Sequence, residues 1–239
     1  MSQLYFLDAD SPQFPPSSVA LDEPKGLLAV GGNLRSQTLL DAYSKGIFPW
    51  FSDDQPIMWW SPSPRMVITP RQFRPSQSLR KLARKDQYAI SCDRAFLDVI
   101  KNCARQVRTN QHGTWITNEM RDAYIQLHRL GHAHSVEVWR CEQLVGGLYG
   151  VAIGSVFFGE SMFSRESNTS KLAFANLCHN LSSWDFGLID CQVYNPHLAS
   201  LGAYEISRDD FEKRLASSVA RSQTRIWRDN WQSGISSND

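Results

Sequence analysis

The sequence predicts a mixed α/β (α+β) fold: a small N-terminal domain over residues 1–64 and a larger domain over residues 65–239, in which a mixed sheet is flanked by helices. Three observations predict it. Residues 144–163 are two apolar, glycine-studded runs that break at Gly154-Ser155, the pattern of a hairpin of two long, largely buried strands. Leu188–Val193 is a shorter run of the same buried kind. Around these strands, apolar residues recur at the spacing of helices that bury one face.

In chain order, the first twenty residues are turn-rich, with Pro12, Pro15 and Pro16. A short helix runs from Thr38 to about Lys45 and stops at Gly46. Gly46-Ile-Phe-Pro-Trp-Phe51 and Met58-Trp-Trp-Ser-Pro-Ser-Pro-Arg65 are too aromatic for a plain loop and too proline-rich for a central strand, so an aromatic wall is expected to close the small domain near residue 64. Met66–Thr69 and Tyr88–Ser91 read as strands around a basic helix, Ser78–Lys85. Asp93 is placed to cap a helix with Phe96, Val99, Ile100, Cys103 and Val107 inward. Thr117 is placed to cap another, with Met120, Ala123, Tyr124, Leu127 and Leu130 inward and Gly131 as its stop. Then follow a strand at Ser135–Trp139, the hairpin, a helix over Lys171–Ser183, the Leu188–Val193 strand, a short helix over 197–201 and a strand at Tyr204–Ile206. The last helix opens on Ser207 with Asp210 three residues on, a capping box. From about residue 222 the chain is rich in Ser and Asn and is expected to fray.

With 239 residues, 42% of them hydrophobic, the chain has ample core for a soluble globular protein. No run approaches the roughly 18 apolar residues of a membrane span. The start, carrying Asp8 and Asp10, has no apolar signal-peptide region. Five cysteines, odd in number and without a Cys-x-x-Cys pair, point to reduced thiols in a cytoplasmic protein and away from a zinc ribbon. His132-Ala-His134 with Cys141 is the one metal-like cluster, and no metal site is expected from it. Without heptads or an apolar edge, a monomer is expected.

Net charge is +1 but unevenly placed. From residue 65 to 85 there are seven basic residues and no acid: Arg65, Arg71, Arg74, Arg80, Lys81, Arg84 and Lys85. Such a run is either a solvated face or a surface for phosphates. The near-neutral total excludes a non-specific nucleic-acid coat and permits a local docking patch.

Polar residues intrude on two of the apolar strands. Glu160 sits inside the second run of the hairpin, where an ionised carboxylate costs several kcal/mol unless partnered. It therefore serves either as a core residue paired with an arginine or as a group that meets a substrate. Asp190 and Gln192, two apart, share one face of the later strand. They either pin the end of that strand or present a carboxylate and a carboxamide to one ligand. Ser161 and Ser164 have no histidine at a helpful spacing, which argues against a serine nucleophile.

The order of elements resembles the GNAT acyltransferase fold, in which strands splay to admit an acyl donor. Acyl-CoA users of that fold hold pyrophosphate on a glycine-containing turn at a helix N-terminus. The corresponding segment here, Arg165-Glu-Ser-Asn-Thr-Ser-Lys171, has no glycine, which argues against acyl-CoA. Eight separated blocks then resemble the bacterial leucyl/phenylalanyl-tRNA–protein transferases: Gly46–Phe51, Trp59-Trp-Ser-Pro62 with Arg65, His112–Thr117, Ala133–Glu137, Gly146–Gly150, Gly159–Ser164, Asp190-Cys-Gln192 and His197–Gly202. The resemblance covers roughly residues 3–215.

That resemblance implies transfer of Leu or Phe, and less readily Met, from aminoacyl-tRNA to the α-amine of proteins beginning with Arg or Lys. The product is a degradation signal of the N-end rule. No cofactor is implied, because the ester donor is already activated. Asp190 and Gln192 match the family's catalytic Asp-x-Gln motif, with Gln192 expected to orient the incoming amine through its amide oxygen and Asp190 to polarise or position that amide, or else to act on the amine directly or through water. Glu160 suits an ammonium partner. Asn195 is a candidate contact for the acceptor backbone. Trp50 and Trp115 look like aromatic platforms for the terminal adenosine or the acceptor. Leu148, Phe157, Leu177 and Leu181 are candidates for the donor side-chain pocket, and the basic run 65–85 for the tRNA acceptor stem. The rival readings are another GNAT-like acyltransferase, a related user of aminoacyl-tRNA that builds cross-bridges or lipids, and a non-enzymatic RNA-binding module.

Overall fold

A computed structural model describes residues 3–85, 87–106, 116–221 and 227–234. The first strands, β1 (Tyr5–Leu7), β2 (Leu27–Gly31), β3 (Phe48–Pro49) and β4 (Met58–Trp60), form a sheet in the order β1-β2-β4-β3. Pro49, which has no N–H to give a ladder, lies on the edge strand. The tryptophan segment departs from its expected role as a wall. β4 is an inner strand, with Trp59 fully buried and its Nε1 donating to the Gly31 carbonyl at 2.9 Å. Helix α1 (Ser36–Ser44) packs on this unit and also on elements of the larger one, so both share a core.

The second sheet has seven strands: β5 (Arg65–Ile68), β6 (Ala89–Cys92), β7 (Ala133–Arg140), β8 (Gln143–Ile153), β9 (Val156–Ser164), β10 (Leu188–Gln192) and β11 (Tyr204–Ile206). Their order is β11-β5-β10-β9-β8-β7-β6. Every junction is antiparallel except β9 with β10, so the sheet is mixed. Parallel neighbours need a crossover, and α5 (Thr169–Ser183), buried around most of its girth, supplies it. α5 covers one face with α2 (Gln77–Ala83) against it. The other face is covered by α3 (Phe96–Ala104), α4 (Asn118–Arg129) and α7 (Arg208–Val219). The short α6 (Pro196–Ala199) links β10 to β11.

Thr117 caps α4 through Met120 N and Ser207 caps α7 through Asp210 N, as the sequence predicts. Asp93 does not cap α3. It adopts a positive φ of 55° and accepts instead from Ser135 N, with His134 Nδ1 at 2.7 Å from its other oxygen. The α3 N-terminus is held by Glu137, which accepts from the backbone N–H groups of Arg94 and Ala95 and from the hydroxyls of Ser91 and Ser135. A carboxylate there complements both the free N–H groups and the helix dipole.

The expected fraying is overturned for residues 227–234, while 222–226 and 235–239 lie outside the described residues. Trp227, in α8 (Trp227–Asn230), is buried against His134, Phe157, Trp184 and Phe186. Asn180 of α5 pairs with both the N–H and the carbonyl of Gln232, and Asn176 accepts from Gly234 N. Burial of Trp227, packing of the partly buried Trp231 on Trp184 at 6.1 Å and these paired backbone groups hold the segment down despite its polar composition.

The hairpin glycines have a steric use at Gly150. A Cβ there would stand 2.2 Å from the Phe158 carbonyl oxygen and 2.5 Å from the tip of the Phe157 ring. Gly150→Ala is therefore expected to cost about 3 kcal/mol through overpacking. A urea unfolding midpoint equal to that of the parent would contradict it.

Candidate active site

The site is built where β9 and β10 part. Their parallel pairing runs Leu188–Val156, Ile189–Phe157, Asp190–Phe158 and stops. Each strand then takes in one extra residue. On β9, Tyr149 of β8 faces Ser161 and Gly150 faces Gly159, so Glu160 is the bulged residue. This is why Phe158 and Phe163, five apart, bury on the same side. On β10, Val67 faces Asp190 and Met66 faces Gln192, leaving Cys191 extra, and Gln192 takes a positive φ of 65°. The two bulges turn Glu160 and Gln192 toward each other, and Gln192 Nε2 donates to Glu160 Oε1 at 2.9 Å.

Two tyrosines complete the surroundings of Glu160. Tyr43 of α1 donates to Oε1 at 2.7 Å and Tyr124 of α4 to Oε2 at 2.9 Å, and the two hydroxyls also touch each other. These oxygen–oxygen contacts close a ring that needs three protons, and the phenols supply two. The third fits on Glu160 in its protonated form, whose carboxyl then donates to one phenol while that phenol donates to the other. Burial agrees, pushing the Glu160 carboxyl up to about 7; the nearby Asp190 charge adds to this, while the bonds from Tyr43, Tyr124 and Gln192 oppose it. Burial first, and then the Glu160 charge, hold both phenols well above their usual range. Glu160 is 8% exposed, so its carboxyl meets solvent only narrowly. The Gln192 amide oxygen is the acceptor the Glu160 contact leaves over.

Asp190 is placed differently from expectation. It is fully buried and gripped by Arg65, with Nε to Oδ1 at 2.8 Å and Nη2 to Oδ2 at 2.6 Å. Its link to Gln192 is through the backbone N–H, at 2.9 Å, and not through the side-chain amide. Arg65 is thereby withdrawn from the basic patch: it is 1% exposed and meets a carboxylate, not solvent. Asn195 also has a local partner. Its side-chain oxygen caps α6 through the N–H groups of His197 and Leu198, which turns it to local structure.

Of the other expected residues, Arg71, Arg74, Lys81, Arg84 and Lys85 are exposed and Arg80 half-buried, with Arg71 paired to Asp185. Trp50 follows β3 and is partly exposed, its ring tilted against Trp60 at 5.6 Å. Trp115 lies outside the described residues. Leu148, Phe157, Leu177 and Leu181 meet in one buried cluster between the sheet and α5. Sequence reasoning missed Tyr43 altogether and read Tyr124 only as core. The available signal was that a buried phenol needs a partner for its hydroxyl.

A family model for the leucyl/phenylalanyl-tRNA protein transferases matches residues 67–216, and one for their N-terminal domain matches residues 32–63. The chain belongs to this family. A leucyl/phenylalanyl-tRNA–protein transferase of Saccharophagus degradans is 51% identical over 232 residues, covering 97% of this chain and 95% of that one. Another, of Nitrosospira multiformis, is 57% identical over 210 residues, covering 88% and 90%. Among solved structures, L-PGS from Bacillus licheniformis is similar at 12% identity with a TM-score of 0.38, over 72% of this chain and 57% of that one. As a member of the transferase family the chain is an aminoacyltransferase, moving Leu or Phe from tRNA to protein. Among the described residues, no helix is long and apolar enough to cross a membrane.

Proposed function

We propose that the chain joins Leu or Phe, and Met less readily, from aminoacyl-tRNA to the α-amine of proteins beginning with Arg or Lys, as a cytoplasmic monomer, and so creates a degradation signal. The observation that carries this reading is the Glu160–Gln192 contact across the parted strands. It sets an anion-forming group beside an amide oxygen at the mouth of a buried apolar layer. The acceptor's amine, arriving as ammonium, gives one proton to the ionised form of Glu160, which titrates at about 7, and points an N–H at the Gln192 oxygen. The nitrogen then attacks the ester carbonyl. The C–N bond forms, the ester C–O bond breaks, and the ribose oxygen leaves with the second proton that the nitrogen sheds on becoming an amide. Ester aminolysis is intrinsically easy, so holding amine and carbonyl in attack geometry supplies much of the rate. The ester is already activated, so this step calls on no cofactor.

The donor side chain enters toward Leu148, Phe157, Leu177 and Leu181, where steric fit excludes β-branched residues. Discrimination of a methylene in such a pocket is worth about 1–3 kcal/mol, which explains leakage to Met. Trp50 and Trp115 serve as stacking surfaces. The acceptor stem lies on Arg71, Arg74, Arg80, Lys81, Arg84 and Lys85. Charge reversal at Arg80, Lys81 and Arg84 is expected to weaken use of tRNA donors and to reduce the salt slope by about one for each phosphate no longer neutralised. An equal fall in activity with small aminoacyl-nucleoside donors would turn the patch over to folding.

The deciding experiment is transfer of radiolabelled Leu from Leu-tRNA to a peptide beginning with Arg and to its acetylated form. Label is expected on the free amine alone. Label on neither, with tRNA still bound, would leave an RNA-binding module.

A further inference from the structure

We propose that Arg65 is a positioning residue of the transfer centre, holding Gln192 in its working conformation through Asp190, and that Asp190 remains an anion throughout turnover. The inference rests on the reading of Gln192 above and adds a residue to it.

The chain of contacts is continuous. Arg65 opens β5, whose strand pairs with β10 on one side and β11 on the other. Its guanidinium lies between the rings of Phe48 from β3 and Phe211 from α7, with centroids at 4.8 and 4.6 Å. Nη1 is buried with no hydrogen-bond partner, so the two aromatic faces are what it meets. Nε and Nη2 make the planar fork to the two oxygens of Asp190. Lysine cannot reproduce this, lacking both the fork and the flat face that fits between rings. Asp190 Oδ1 also accepts the N–H of Gln192. That bond spans the extra residue Cys191 and closes a turn around it, which holds Gln192 in a left-handed conformation that non-glycine residues seldom take.

A carboxylate with both oxygens committed to one guanidinium can take up a proton only by giving up part of the fork. Fully buried, it would then leave the arginine charge without its partner, a far costlier state than the ion pair. Asp190 is therefore a fixed strut. The proton that leaves the acceptor amine goes elsewhere, and the carboxyl that can take it, in its ionised form, is Glu160.

The test compares Arg65→Lys, Asp190→Asn, their double variant and Phe211→Leu. Its readouts are kcat, KM, the pH profile, and amide exchange at Gln192 with Ile189 as the internal reference. Arg65→Lys is expected to lower kcat about tenfold to hundredfold with KM for Leu-tRNA little changed, because misplacement of a positioning group acts on turnover. Exchange at Gln192 accelerates while that at Ile189 does not, and the acid limb of the profile stays in place. The double variant is expected to be little worse than the poorer single one, as for residues in one network. If the acid limb moves with Arg65→Lys, Asp190 is the proton carrier and the proposal falls. Unchanged kcat together with unchanged exchange also overturns it. Should Arg65→Lys fail to fold, Phe211→Leu, which removes one face of the sandwich, is read the same way with a smaller loss. Should the parent protein transfer no Leu, the functional reading fails, while amide exchange still decides whether Arg65 holds Gln192.

Discussion

Glu160→Gln is expected to lower transfer about 100-fold or more while making the protein more stable above neutral pH. Both effects follow from one buried carboxyl. In the folded chain it titrates at about 7 against an ordinary value of 4.5, with burial as the main cause. The native state thus binds the Glu160 proton more tightly than the unfolded chain does. The stabilisation this gives is complete below the unfolded value and is lost as pH rises through about 7. A shift of that size corresponds to about 3 kcal/mol. Glutamine carries no charge to bury, and its amide can both accept from one phenol and donate to the other, so the contacts with Tyr43 and Tyr124 survive. The variant's urea stability should hardly change between about pH 5 and 8, where that of the parent falls. Its residual transfer should lack the limb near 7 and keep only that of the acceptor amine, at about 8. A parent and variant with parallel stability profiles would mean that Glu160 is already ionised in the resting protein.

The fold was legible because its strands and helices announce themselves locally. The hairpin breaks at Gly154 and the caps at Thr117 and Ser207 lie where the sequence places them. Glu160, Asp190 and Gln192 were legible for the opposite reason, as polar residues that violate an apolar pattern. Arg65 was not. It belongs to an acid-free basic run, and the partner that removes it from that run is 125 positions away. Nothing in a linear charge count distinguishes a basic residue that ends a buried strand from its exposed neighbours Arg71 and Arg74. Asp93 misled because a helix-capping residue and a left-handed turn residue have the same side chain, and Glu137, on a distant strand, took the cap. The tail misled because Ser and Asn outnumber Trp227 and Trp231, although the two tryptophans decide the energetics.

The bulges explain why the acidic and amide groups meet at all. Regular strands would have kept β9 and β10 paired past Phe158 and Asp190, and alternation would have fixed Glu160 and Gln192 on faces set by parity alone. One additional residue in each strand breaks the ladder and re-aims a side chain, the usual use of a bulge beside a site. The cost falls on backbone pairing, and the replacement is a side-chain bond between Gln192 and Glu160. The donor's acyl group and the acceptor's amine then have one place to meet, where main-chain pairing has been given up.

Gln192→Asn tests that placement most sharply. The substitution keeps the amide and shortens its reach by one methylene. The asparagine can no longer span the 2.9 Å contact to Glu160 Oε1, so its oxygen is no longer aimed by that bond. A misplacement of about 1 Å in a group that orients a reactant costs roughly 100-fold, and that loss is expected in kcat. KM for Leu-tRNA should stay near that of the parent, since the donor is held by other residues. Glu160 also loses one of the hydrogen bonds that oppose its raised titration, so the acid limb of the pH profile should move upward. The backbone bond from Gln192 N to Asp190 does not depend on the side chain, so the fold and the left-handed turn should be kept. Together, a fall in kcat and a limb displaced toward alkali would identify Gln192 as the amide that orients the acceptor amine against the Glu160 carboxyl. An asparagine enzyme that keeps the parent's kcat would show instead that attack geometry is set by the substrates' own binding sites, with the amide a bystander at the strand end.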